Sequence, residues 1–197
     1  MISLVISEVG GRECNLNVDE NIAYIGISNS DGLQYVNTST GSATYTNPTI
    51  TGTTISNYTV VLTKPGDSVT LYFRIYNDGD INGEIESVIS STPVCTSVTG
   101  NTSDANLVCN NLDVSFTYFD NTTIRPGHIL NDDDIICFSS GDDYGLDGVV
   151  KVHISLKTSM TSVPSSKVTI SNLTHEIKFI QSDKVCDPIG IGGNSPI

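Results

Sequence analysis

The chain has 197 residues, a length that suits one domain with a core of its own. Nine basic residues stand against 22 acidic ones, and a net charge of -13 repels phosphate, which argues against nucleic acid or anionic lipid as a partner. No run approaches the roughly 20 apolar residues of a spanning helix, so membrane insertion is not expected.

Charged residues are only 16% of the chain, against about 25% in an ordinary soluble domain. Thr, Ser and Asn therefore supply the polar surface, and Thr favours pleated surfaces while Asn and Ser favour turns. In chain order, residues 2–9 come first, with Ile2, Leu4 and Ile6 alternating. This start has no basic leader and too short an apolar stretch for a signal peptide, so either a leader has been removed or the protein reaches its destination by another route, as a virion protein does. Further strands are expected over residues 22–27, 33–36 and 55–62. Lys64-Pro-Gly-Asp67 follows as a turn with Pro and Gly at its centre, the type II pattern.

Residues 68–76 carry the clearest period of two, with Val69, Leu71, Phe73 and Ile75 on one face. Asp78-Gly-Asp80-Ile-Asn82-Gly83 copies the first half of a calcium-binding EF-hand loop, but Ile89 stands where the closing Glu belongs, so the segment reads as a hairpin turn. Strands are then expected over 83–90, 112–119, 135–138, 149–156 and 168–180, with a second Pro-Gly turn at Arg125-Pro-Gly-His128. Val150, Val152, Ile154, Leu156, Val168, Ile170, Ile177 and Phe179 complete the expected core. The fold class is an all-β, antiparallel, jelly-roll-like sandwich of about ten strands. It forms one domain over residues 1–182, followed by a Gly/Pro-rich tail over 183–197.

Five cysteines lie far apart, at positions 14, 95, 109, 137 and 186, without the spacing of a zinc site. A Cys95–Cys109 disulfide is expected to close the Thr/Asn/Ser/Gly surface loop between them. The partners of Cys14, Cys137 and Cys186 stay open, and the odd count leaves one thiol over. Asp132, Asp133, Asp134, Asp142, Asp143 and Asp147 crowd around Cys137. They read first as a solvated acidic loop, with calcium as the hard cation such oxygens would accept. Thr174-His-Glu-Ile-Lys178 lacks the second His of a zinc-protease helix, and no Gly-x-Ser-x-Gly elbow occurs. No catalytic or cofactor-binding residue is therefore assigned. Five Asn-x-Ser/Thr sequons, at Asn37, Asn57, Asn101, Asn121 and Asn172, matter where the host glycosylates.

Leu62-Thr-Lys-Pro-Gly-Asp-Ser-Val-Thr-Leu-Tyr-Phe-Arg-Ile-Tyr-Asn-Asp-Gly-Asp-Ile-Asn-Gly-Glu84, together with Val163-Pro-Ser-Ser-Lys-Val-Thr-Ile-Ser-Asn-Leu173, resembles the signature of TasA/camelysin-like proteins over residues 50–181. These are surface and biofilm-matrix proteins of Gram-positive bacteria with archaeal relatives. The resemblance implies a secreted jelly roll that polymerises by donating an N-terminal strand, here carrying Ile2, Leu4 and Ile6, to the next copy. The expected function is a non-enzymatic subunit of an extracellular fibre or surface layer whose partners are other copies of itself. A binding or decoration module, either a surface adhesin or a virion protein, is the alternative, and a metal-dependent hydrolase is the second.

Overall fold

The computed structural model describes residues 25–29, 37–141 and 144–186. Alternation of apolar and polar residues sets the layers. In chain order the strands are β1 (Ile25–Asn29), β2 (Thr38–Ser39), β3 (Thr44–Tyr45), β4 (Thr49–Thr51), β5 (Thr54–Val61), β6 (Ser68–Asn77), β7 (Gly83–Ser90) and β8 (Val94–Ser97). A helix α1 (Thr102–Asn110) is followed by β9 (Leu112–Tyr118), β10 (Ile129–Leu130), β11 (Ile135–Cys137), β12 (Gly145–Asp147), β13 (Val149–Leu156) and β14 (Val168–Gln181). One sheet runs β1-β6-β13-β9, with β2 also on β6. The other runs β12-β11-β10-β7-β14-β5-β3, with β4 on β5 and β8 on β14. All these pairings are antiparallel, and the two sheets form an all-β sandwich.

The core is where the alternation places it. Val69, Leu71, Phe73 and Ile75 of β6 and Val150, Val152 and Ile154 of β13 are wholly buried. From the opposite sheet come Ile55, Val60, Val168, Ile170 and Ile177. Each such side chain contributes about 1.5–3 kcal/mol on leaving water. Phe179, expected in this core, is half-buried at its margin.

Turn chemistry fixes the connections. The Lys64–Asp67 turn has Gly66 at φ 82° and an Asp67 N–H that donates to Lys64 O at 3.0 Å, as a type II turn requires. The Asp67 carboxylate then accepts the backbone N–H groups of Thr63, Lys64 and Ser42. Burial alone would raise its pKa, but these bonds and one from the Ser42 hydroxyl outweigh burial and hold the carboxyl below its usual range.

Three expectations need correction. The segment between β6 and β7 is not a hairpin turn: β6 belongs to one sheet and β7 to the other, so residues 78–82 arch across the sandwich. Both edges of β6 are already occupied, by β1 and β2 on one side and β13 on the other, which leaves β7 no place beside it. The segment between Cys95 and Cys109 is not simply a loop, because Asn101 caps α1 there by accepting from Ser103 and Asp104 N–H. Residues 183–186 do not leave the sandwich as a tail, since Cys186 is buried and bonded to Cys137. The expected strands over 2–9 and 33–36 lie outside the described residues, as does the remainder of the tail from residue 187.

Candidate functional site

Terminal strands decide where a sandwich can accept another chain, because their outward N–H and C=O groups have no neighbour. Among the described strands, three of the four that end a sheet limit that exposure. β3 and β12 have two and three residues, too short to template a partner, and β1 already donates Ile27 N–H to Gly52 O at 2.9 Å. β9 is different, with seven residues and β13 as its partner on one side.

The register shows which groups of β9 point away. Phe119 N–H donates to Val149 O, and Lys157 N–H donates to Asn111 O, so the odd-numbered residues between them face β13. Leu112, Val114, Phe116 and Tyr118 aim their N–H groups outward, and of these Tyr118 donates to Thr122 O at 3.0 Å. No described strand pairs with Leu112, Val114 or Phe116 on that side.

The core under this edge is also incompletely covered. Leu112, Val114 and Phe116 pack against the core yet stay half-exposed, whereas the inward residues of the adjacent β13 are all buried. A strand laid along β9 would bury them and satisfy their N–H groups in one step.

Two imidazoles, His175 on β14 of the opposite sheet and His128 just before β10, support β9 from below. His175, 1% exposed, lies with its ring 5.1 Å from Phe116. Its Nδ1 shares a hydrogen bond of 2.9 Å with Ser90 Oγ, and its Nε2 one of 3.0 Å with Tyr58 OH. Burial pushes its pKa down to about 4, so it is a neutral ring with one donor and one acceptor, both used. Burial likewise raises the Tyr58 hydroxyl far above its ordinary range. His128, lowered by burial and by Arg125, stacks on Tyr118 and shares a 3.0 Å hydrogen bond with its hydroxyl. His153, on the outer face, pairs with Thr70 Oγ1 at 2.9 Å. Each described imidazole is thus held by hydroxyl groups.

The cysteines assemble as two bridges. Cys95–Cys109 forms as expected and ties β8 to α1, and Cys137–Cys186 ties β11 to the segment after β14. Such bonds suit a chain that matures in an oxidising compartment. Beside the first, Asp104 binds the segment before β14: its carboxylate accepts N–H and hydroxyl groups from both Ser165 and Ser166, over 2.6–2.9 Å. The Ser166 hydroxyl, followed by the Ser165 N–H, brings its pKa down to about 2.

The six aspartates proposed for calcium are not all brought together for that task. Asp134 turns inward, paired with Arg74 at 3.1 Å and accepting Asn77 N–H at 2.7 Å, while Asp132, Asp133 and Asp147 are exposed. Asp142 and Asp143 lie outside the described residues, as do Ile2, Leu4 and Ile6 of the expected donor strand. Among the described residues no three His, Cys, Asp or Glu side chains converge as a metal-holding set.

Open clefts also indent the described surface. One, of about 410 Å³, lies between Lys64, Thr63 and the Pro164–Lys167 segment. Another, of about 430 Å³, lies over His153, Asp113, Ser155 and Lys157. None of the described helices is long and apolar enough to span a membrane.

The open edge was not foreseen as the site: sequence reasoning placed β9 but not its position at the end of a sheet. The only available hint was the weaker alternation Leu112, Val114, Phe116, Tyr118 beside the fully apolar inner face of β13. No family model matches the chain, and neither a curated protein nor a solved structure matches it. The likeness to TasA/camelysin-like proteins accordingly stands on the quoted residues alone.

Proposed function

We propose that the protein is a non-enzymatic structural subunit that assembles with copies of itself into an extracellular fibre or surface layer by β-strand addition at β9. The observation that carries this reading is the coincidence, on one strand, of three outward N–H groups and three half-covered apolar side chains. Ile2, Leu4 and Ile6 alternate as an incoming strand must if one face is to cover such a groove. Two disulfides support an extracellular or cell-surface location.

Negative-stain microscopy of the full chain tests it, alongside a variant lacking residues 1–9 and a Val114→Pro variant whose ring blocks the outward side of β9 without removing a bond to β13. Filaments in the parent that disappear in both variants are the expected result. Undiminished filaments after truncation defeat strand donation, and a parent that stays monomeric defeats the reading as a whole. A second reading, a binding or decoration module, draws on the cleft of about 410 Å³, where Lys64 and Lys167 stand together on an otherwise acidic molecule. A soluble monomer that retains anionic glycans on a column would favour it.

A further inference from the structure

The fold sorts the five sequons by whether the asparagine amide is already in use. Asn37 Oδ1 accepts Tyr72 N–H at 2.8 Å. Asn101 Oδ1 caps α1, and Asn172 Nδ2 donates to Thr92 O at 2.8 Å. Asn57 is exposed, but it lies within β5 and the central residue of its sequon, Tyr58, is 2% exposed. A transferase reading that sequon would have to pull Tyr58 from the core.

Asn121 differs on every point. It stands in the turn after β9, exposed, and its side chain makes no hydrogen bond among the described residues. Asp120 holds the turn instead, its carboxylate accepting the Thr122 N–H and hydroxyl at 2.8 Å each. Thr123, whose hydroxyl a transferase must recognise, is exposed as well. The φ of 75° at Asn121 accounts for a choice between Asn and Gly, since both tolerate that region. It does not account for a free amide followed two residues later by an exposed Thr.

We propose that Asn121 is an N-glycan acceptor, modified in the folded chain by an oligosaccharyltransferase using a lipid-pyrophosphate-linked oligosaccharide. In that step a bond forms between Asn121 Nδ2 and the anomeric carbon, and the bond from that carbon to the pyrophosphate oxygen breaks. The lipid pyrophosphate leaves with the electron pair, and the amide proton passes to a base of the transferase. The transferases that run this reaction work on the secretory side of membranes, where the two disulfides would also form. The assignment does not depend on the fibre reading.

The test uses full-length, disulfide-bonded protein from a non-glycosylating host. It is incubated with a single-subunit transferase of plain Asn-x-Thr specificity and its lipid-linked donor, and peptide mass spectrometry then gives the occupancy of each sequon. Reduced, unfolded chain serves as the control that every sequon can be reached. One glycan at Asn121 in folded protein is expected, with loss to background in Asn121→Gly and in Thr123→Ala, which leaves the turn-holding Asp120 contacts intact. An unmodified Asn121 in folded protein, with the unfolded control modified there, would overturn the assignment. So would equal occupancy of Asn37, Asn101 or Asn172 in folded protein.

Discussion

Acidification tests the buried imidazole at His175 directly. Its pKa is lowered by burial to about 4, whereas an unfolded histidine titrates near 6.5. Above about pH 6.5 the ring is neutral in both states and pH changes nothing; as pH falls from there to about 4 the unfolded chain takes up a proton that the folded chain refuses, so stability is lost across that window. Integrating the difference gives a loss of about 2.4 kcal/mol between about pH 7 and pH 4.5 from this one group. His128 and His153, also lowered by burial, add to the loss in the same direction. The lowered carboxyls of Asp104, Asp67 and Glu84 contribute stability that is present above the ordinary carboxylate range and lost as pH falls through it, but the parent and a His175→Gln variant share these groups, so they cancel from the difference between the two drops. With no Trp and eight Tyr in the chain, urea unfolding is followed by far-UV circular dichroism at both pH values. His175→Gln removes the titration, so its drop in stability should be smaller than that of the parent by about 2 kcal/mol, on top of a pH-independent cost of about 1–3 kcal/mol for disturbed hydrogen bonds. Equal drops in parent and variant would refute the argument.

Other expectations follow from the packing and the bridges. A Cβ on Gly148 would stand 2.5 Å from Ile75 O and 2.8 Å from Asp134 O, both backbone atoms, so Gly148→Ala should cost about 1–3 kcal/mol in urea unfolding, whereas a Cβ on Gly100 meets open space and leaves only the strain of its positive φ. Breaking Cys95–Cys109 by a double Ala substitution should cost about 3 kcal/mol and breaking Cys137–Cys186 about 4 kcal/mol, since the closed loop is longer in the second. A similar loss for the two bridges would show that chain entropy does not set their contributions. Because those bridges use four of the five cysteines, thiol titration of unreduced, denatured monomer should report one thiol per chain, at Cys14.

How much of this was legible depends on whether a feature is local. β6, β7, β13 and β14 were placed to within one residue at either end, because period-two alternation is a property of consecutive residues. The 14-residue β14 runs through Ser171-Asn172 with a bulge there, Asn172 standing at φ 56°. The two- and three-residue strands β2, β3, β4, β10 and β12 carry no periodicity to read, and their pairing comes from neighbours already in place. α1 escaped because its nine residues offer neither length nor an apolar stripe, and only the Asn101 cap and the Asp104 clamp define it. The edge position of β9 and the Ser90–His175–Tyr58 contact join residues far apart in sequence, which no spacing encodes.

The covalent staples bear on the open edge. Both disulfides brace elements of the larger sheet or the helix beside it: Cys95 is on β8, Cys137 is on β11, and Cys186 follows β14. None touches β1, β6, β13 or β9, so the smaller sheet is held by hydrogen bonds and packing. Its outermost strand β9 is then a place where opening costs little, since one face is half-covered and, among the described residues, no strand pairs with its outward side at Leu112, Val114 or Phe116. Amide exchange in the monomer should therefore rank the N–H groups of Val114 and Phe116 as fast, Ser115 and Thr117 as intermediate because they bond to β13, and Val152 and Leu71 in the centre of the sheet as slow. Assembly at β9 should move Val114 and Phe116 into the slow class while leaving Val152 where it was. Protection of Val114 and Phe116 already in the monomer would mean that something covers this edge before any second copy arrives, and strand addition there would have to be abandoned.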